Sequence, residues 1–509
     1  MYKCVSCQSS NLTRRGQFFN KSENVNKQRY QCKDCETQFS VELPKIEEEH
    51  KLYSNKNNKK YVITSYQGGE YNLGFLNVLE NYCEYNDAEL IILHSPNKSD
   101  NSERISELDR YIVSDNFDIN KYITVYSQLN ISKTAESPLS GLESLSKGKS
   151  LIVGHSSLEF KMLPSFGNSH PLMMTSTGSI SIPDYKLTTK AGAKADHNHS
   201  YSAIVLELDN QLDIYHFRVL NAEDDGNFYD LDKYYTKTQV LENQRIDALI
   251  LGDEHWGEHD ENVYRATYLN EDSIVKTLKP RTLVRHDALS FNQASGHHSR
   301  NSFLTRFRMN HNGDNDVFKE LLNTTNYIKE TTFDFVENNI LVDSNHHSHL
   351  TRWLSESNTT YDYSNALIFH FLMYHTLNNI VTGGSVDVSP FELFYRNYVK
   401  DEIVNSKTKF LGDNDSYLIH GIECGLHGHV SINGGAGSPT SFGNRWPVKV
   451  ITAHTHTPSI KKGAYCVGTS SKLKLSYTSG GSTWLQGHCC IHENGKRQLI
   501  FIIKGKYKL

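Results

Sequence analysis

Five short apolar runs end on residues that bind cations, and no other feature of the 509-residue chain restricts its fold as tightly. Residues 246–252 lead into Asp253-Glu254-His255, and residues 282–286 into Asp287. Residues 339–342 lead into Asp343-Ser344-Asn345-His346, and 416–424 into Gly425-Leu426-His427-Gly428-His429. The last run, 448–453, ends at His454-Thr455-His456. A buried strand that stops where such residues begin delivers them to the loop beyond it. In open α/β sheets functional groups gather beyond the carboxyl ends of the strands, so the five blocks can converge. Carboxylates and neutral imidazoles together can hold two divalent ions about 3.5 Å apart, sharing one carboxylate and a water or hydroxide. Taken singly each block is weak. Asp287 alone reads as a cap or turn residue, Asn345 as a turn former, and His-x-His recurs at His197 and His199. Number and order carry the argument.

The amino end reads as a separate unit over residues 1–41. Cys4-x-x-Cys7 and Cys32-x-x-Cys35 are two knuckles whose four thiolates suit the closed tetrahedral site of a structural zinc. This is the pattern of a zinc ribbon. So few residues cannot bury a sufficient core, and the metal is expected to supply much of the folding energy. Tyr30 and Phe39 flank the second pair as apolar cover. Seven Lys/Arg against three acids give a basic bias, which a Cys4 zinc centre of about −2 charge largely offsets. Nucleic-acid binding and a docking or purely structural role fit this unit equally.

A charged linker is expected over 42–60, with Glu47-Glu48-Glu49 followed by Lys59-Lys60. A β-α-β start follows: residues 61–65 as a strand, a helical pattern through Phe75, Leu76, Val78 and Leu79, then a strand at 89–93. Residues 151–220 look strand-rich, and 61–243 together read as an α/β accessory domain without catalytic spacing. His155, His197 and His199 there read as core or surface histidines. No run of eighteen apolar residues exists and the start lacks the apolar core of a signal peptide, so a cytoplasmic protein without membrane contact is expected. Nine cysteines, four of them in Cys-x-x-Cys pairs, favour metal over disulfides. A net charge of −5 gives no global attraction to nucleic acid, so any such binding must be local. Cys424, Cys466, Cys489 and Cys490 read as buried small residues.

From about residue 245 to 509 the blocks resemble the calcineurin-like metallophosphoesterases, whose signature runs D-x-H, G-D-x-x-D, G-N-H-D/E, H and G-H-x-H. More narrowly the chain is similar to a phage-encoded branch related to the early protein with which some tailed phages degrade host DNA. Ser344-Asn345-His346, Gly425-Leu426-His427-Gly428, residues 433–438, 468–471 and 494–500, and the 61–93 stretch carry that likeness. The resemblance implies an α/β fold in which a β-sandwich flanked by helices spans 244–509, beside the ribbon and the intervening region. It implies Asp253, His255 and His456 as ligands of one metal, Asp287 as the bridge, and Asn345, His427 and His454 on the second. His346 would lie near the scissile phosphate as acid or electrostatic stabiliser, without ligating. Manganese is implied as the best metal, with iron or zinc as substitutes.

The chain departs from that pattern in places. The second block lacks the Gly-Asp start, His347 stands where an acid is usual, Ala453 replaces a glycine, and His420-Gly421 competes with His427-Gly428 for the fourth block. The activity implied is a Mn-dependent deoxyribonuclease, a hydrolase acting on DNA in the host cytoplasm, with homo-oligomerisation open. A phosphatase or phosphodiesterase of small molecules, or a non-catalytic metal-stabilised scaffold, are the competing readings.

Overall fold

The computed structural model describes residues 3–20, 23, 25–42, 51–53, 59–95, 106–166, 170–209, 214–291, 307, 311–313, 315–356, 362–475 and 478–509. Most of the linker expected at 42–60, and the pair His297-His298, lie outside the described residues. The chain divides into two units, Met1–Lys51 and Leu52–Leu509.

The small unit is a three-stranded antiparallel sheet, Leu12–Asn20, Val25–Cys32 and Gln38–Glu42. Both cysteine pairs form the same turn. Gln8 donates its N–H to the Cys4 carbonyl and Glu36 to that of Cys32, each at 3.0 Å, with φ of 61° and 60°. Tyr30 and Phe39 are cross-strand partners and stack at 5.8 Å.

The large unit is organised by a sheet in which Thr408–Leu411, Asn338–Val342, Thr282–His286 and Ala248–Ile250 run parallel in that order, followed by antiparallel Gly487–Ile491 and Arg497–Phe501. Its strands alternate with period two, as a sheet buried on both faces requires. Ile250, Val284, Ile340 and Phe501 point into one core, while Leu249, Leu283, Leu341 and Ile500 point into another. Helices Val317–Glu330, Asn345–Glu356 and Pro390–Tyr398 cover the second face, through Leu321, Leu350 and Phe394. The first face meets a second large sheet, whose strands Ile422–Glu423, Lys449–Thr452 and Ala464–Cys466 also run parallel and contribute Ile422, Ile451 and Tyr465.

The β-α-β start is present as Lys60–Tyr66, the helix Leu73–Asn86 and Glu89–His94, the two strands being parallel. Asn72 caps the helix by accepting the Phe75 N–H at 2.9 Å. One face of this sheet packs on the helix through Val62, Ile92 and Val205. The other face sends Ile63, Ile91 and Ile204 into the core shared by the two large sheets. Strands from 61–243 also continue into the sheet that holds 449–466, because Glu159–Leu163 pairs with Ser459–Lys461. Residues 61–243 and 244–509 are therefore held by one core, since an apolar face on either side has the other as its nearest cover.

Candidate metal centre

Parallel strands emerge at one edge, so the residues that follow Ile250, His286 and Val342 are neighbours although scattered over ninety-odd positions. The second sheet faces them with the ends of Ile422–Glu423 and Lys449–Thr452. Five sequence blocks thereby close on one buried centre. Gly252 is required at the first strand end, because a Cβ there would lie 2.5 Å from the Gly487 carbonyl oxygen.

Asp253 Oδ2 lies 3.1 Å from His456 Nε2, and Asp253 Oδ1 lies 3.7 Å from His427 Nδ1. Asp287 Oδ2 lies 3.5 Å from His255 Nε2 and 3.4 Å from His427 Nε2. His255 Nε2 and His456 Nε2 are 3.0 Å apart, and His427 Nε2 is 3.2 Å from the Asn345 side-chain oxygen. The His454 ring is 5.2 Å from that of His427. Three overlapping groups, Asp253/His255/His456, His255/Asp287/His346 and Asp253/Asp287/His427, each bring their donor atoms within 4.8 Å of one another and could hold a metal ion.

The electrostatics fit cations. Burial works to raise the Asp253 carboxyl, but His427 and His456 beside it hold it down at about 2. Burial likewise opposes ionisation of Asp287, and the histidines around it, His346 and His427 foremost, hold it well below the usual carboxylate range. Burial pushes His255 down to about 3 and His454 down to about 4, which leaves their rings neutral and able to ligate. His427 is the exception: against its burial, Asp287 and Asp253 raise it. Among the described residues no aligned hydrogen-bond donor reaches either oxygen of Asp253 or Oδ1 of Asp287, all three buried. Two ionised carboxylates with so few partners cost several kcal/mol each unless a cation joins them. Divalent ions meet that need.

The backbone is bent to the same purpose. His255, Asp287, His454 and His456 have φ of 41°, 50°, 73° and 55°, in the left-handed region that non-glycine residues avoid. Such conformations cost on the order of 1–3 kcal/mol each and persist where the surroundings over-determine them.

The structure separates the two candidates of the fourth block. His420 is the turn residue of the hairpin Leu418–Ile419/Ile422–Glu423, and its Nε2 pairs with Asp247 Oδ2 at 2.6 Å, away from the centre. His427 follows the strand that runs parallel to Lys449–Thr452, and so reaches the centre. His346 sits among the carboxylates and imidazoles, its ring 4.6 Å from that of His255. Its Nδ1 donates to the Ser290 carbonyl at 2.6 Å, which supplies the partner that His347 leaves open. His347 turns instead to Asp343, 3.4 Å from its Nδ1. The Ser290 carbonyl has no signal in sequence, since every residue carries one. His429, which closes the fourth block, has its ring 5.4 Å from that of His427. Elsewhere His155 is a satisfied core residue, bonded to Ser132 O and Ser157 N, each at 3.0 Å.

In the small unit Cys4 Sγ and Cys35 Sγ are 3.5 Å apart, as are Cys7 and Cys32, and the four thiols could hold one metal ion. Four sulfurs about 2.3 Å from a tetrahedral zinc would stand about 3.8 Å from one another, close to that spacing. Replacing Cys32 by Ser is expected to remove one equivalent of metal and to melt this sheet. Metal analysis and amide exchange of residues 12–42 check it, and retention of the metal would contradict it.

Protein A1 of Escherichia phage T5 is 30% identical to this chain over 474 residues, covering 89% of this chain and 83% of that protein. No family model matches the chain, and no solved structure matches it. No helix among the described residues is long and apolar enough to cross a membrane.

Proposed function

This chain belongs to the family of Protein A1 of Escherichia phage T5, and we propose that it is a metal-dependent phosphodiesterase of the calcineurin-like type, a phage nuclease that degrades host DNA in the host cytoplasm. One observation carries the reading. The Asp287 carboxylate stands between His255 and His427, at 3.5 and 3.4 Å, so one oxygen would face both halves of a two-cation site. Asp253, His255 and His456 would hold one ion, and Asn345, His427 and His454 the other. Two bound divalent ions would supply a hydroxide at neutral pH and offset the charge that develops on phosphate. Mixed oxygen and nitrogen donors suit manganese, iron or zinc better than magnesium or calcium, and manganese is the metal of choice by family resemblance. The four cysteines would hold a structural zinc.

The protein's own residues do the rest. With Nδ1 committed to Ser290, His346 can exchange a proton with substrate only at Nε2, the nitrogen left for the leaving oxygen. His346→Ala is expected to lower turnover by about 10²- to 10⁴-fold, the usual range for a general acid, with the metal content retained. Loss of metal from that variant would make His346 a ligand, as its grouping with His255 and Asp287 permits.

The direct experiment incubates purified protein and manganese with plasmid DNA and with bis(p-nitrophenyl) phosphate. Degradation of the plasmid supports the nuclease. Ester cleavage without nicking would replace it with a small-molecule phosphodiesterase, and inactivity on both would leave a metal-stabilised scaffold.

A further inference from the structure

A cavity of about 290 Å³ lies where the 61–243 region meets residues 449–497, and every residue lining it is described. Beside it the seam is closed by the pairing of Glu159–Leu163 with Ser459–Lys461. The Asn221 side chain adds a hydrogen bond, donating to the Arg497 carbonyl at 2.8 Å. None of the proposed metal ligands lines this cavity. Lys449 on its wall opens the strand Lys449–Thr452, whose far end leads to His454 and His456. At about 3.3 Å per residue Lys449 stands roughly 15 Å from His454, so the cavity and the metal centre are separate places.

Lys449, Lys462, Lys496 and Arg497 all line it, and only two of them are spoken for. Lys462 pairs with Glu136 at 2.8 Å. Arg497 gives its guanidinium to the Val450 and Gly463 carbonyls, at 3.0 and 2.8 Å, and stacks over the Tyr465 ring. Lys449 and Lys496 are different: among the described residues no carboxylate pairs with either ammonium. Arg497 is buried, Lys496 half-buried and Lys449 exposed at the rim, near enough to act on one another. Desolvation pushes the Lys449 ammonium down, Arg497 and Lys496 push it the same way, and no acid works against them. Desolvation also pushes Lys496 down, with Asp224 and Glu223 opposing it from a distance. Like charges gathered out of water cost free energy unless an opposite charge joins them. This place lacks an anion.

We propose that this cavity binds a small phosphate ester, its phosphate held by Lys449 and Lys496 beside Arg497 and its hydroxylated body against Asp196 and Asn198. The site is independent of the phosphodiesterase reading above. Lysine binds phosphate as a point charge, and two ammonium groups with no other partner are free to take one phosphate between them. Asp196 and Asn198, on the same lining, offer the acceptors that sugar hydroxyls need. Ligand pockets run from roughly 300 to 1,000 Å³, so this one has room for a single mononucleotide or sugar phosphate. Because the walls come from both 61–243 and 449–497, a bound ester would tie those two parts together.

Two measurements on the full chain test it. In the first, adenosine 5′-monophosphate, inorganic phosphate and adenosine are each titrated into the protein and the heat of binding is followed. The nucleotide should bind more tightly than phosphate, and adenosine should not bind. Replacing both lysines, Lys449→Gln with Lys496→Gln, should weaken the nucleotide by about tenfold or more, the worth of hydrogen bonds to a charged group. Lys449→Arg with Lys496→Arg keeps the charge and should keep most of the affinity. No binding to the wild type, or adenosine binding as well as its phosphate, overturns the proposal. So does affinity unchanged in the glutamine pair, as it would be for a nucleotide held at the metal centre. Phosphate binding as tightly as the nucleotide would overturn the place given to the sugar. The second measurement is the melting temperature. Without ligand the glutamine pair should melt no lower than the wild type, because a repulsion has been removed, and the nucleotide should no longer raise it. A glutamine pair that melts well below the wild type would make the two lysines packing residues and overturn the assignment.

Discussion

On the proposed function, Asp287→Ala is expected to lose phosphodiester hydrolysis by a factor of about a thousand or more and, with it, both ions that the large unit would hold. The expectation follows from position. Asp287 Oδ2 is the oxygen within 3.5 Å of a histidine on either side, so its removal would take a donor from both halves of the proposed site at once. The hydroxide and the charge neutralisation that two bound ions would supply would go with them. Asp287→Asn is the companion variant. It keeps the shape of the side chain, and asparagine tolerates the φ of 50° found there, but it removes the charge. It should be similarly inactive with an unchanged circular dichroism spectrum. Metal analysis by mass spectrometry and hydrolysis of bis(p-nitrophenyl) phosphate are the readouts. A variant that still binds two ions per large unit would remove Asp287 from its bridging place.

The largest expected effect on stability lies directly behind the centre. Arg285 is fully buried, and its guanidinium reaches Glu254 at 2.9 Å, Asn339 Oδ1 at 2.8 Å and Thr331 Oγ1 at 2.7 Å. Glu254 also accepts from Tyr268 at 3.0 Å and from Tyr327. Glu254 separates Asp253 from His255, and Arg285 stands two residues before Asp287, so this network ties the first two ligand blocks together. Arg285→Met leaves the Glu254 carboxylate buried without its cation, which costs about 3–5 kcal/mol. The urea midpoint of the metal-free variant reads this out. Adding Glu254→Gln should recover much of the loss, because removing both charges of a buried pair is far milder than removing one. A single variant as stable as the wild type would show that water reaches Glu254.

Much of the centre was legible because its donors follow their strands directly. Asp253, Asp287, Asn345, His427 and His454 each come within a few residues of an apolar run, and the number and order of such runs mark them as candidates. His346 and His456 are carried along by the same loops. The strand-helix-strand start at 61–93 was legible for a similar reason, since helical and strand periodicities differ within a few residues. The four-cysteine cluster was legible because four cysteines in two pairs have few other uses in one short segment. What escaped were groups that take their meaning from a distant neighbour. Nothing near Glu254 or Arg285 in the sequence marks them as partners of one another.

The amino-acid sequence alone determined which residue types arrive at strand ends, in what order, and that a cysteine-held unit precedes them. These are properties of short segments, set by side-chain chemistry and by the period of the backbone. Only the tertiary structure decided that His427 and not His420 reaches the centre, that the Ser290 carbonyl orients His346, and that residues 61–243 share a core with the rest. Each of those depends on which strands pair and which faces meet across hundreds of positions. No local pattern encodes that, because a buried strand of the same composition can pair with many partners and every backbone carbonyl is chemically the same.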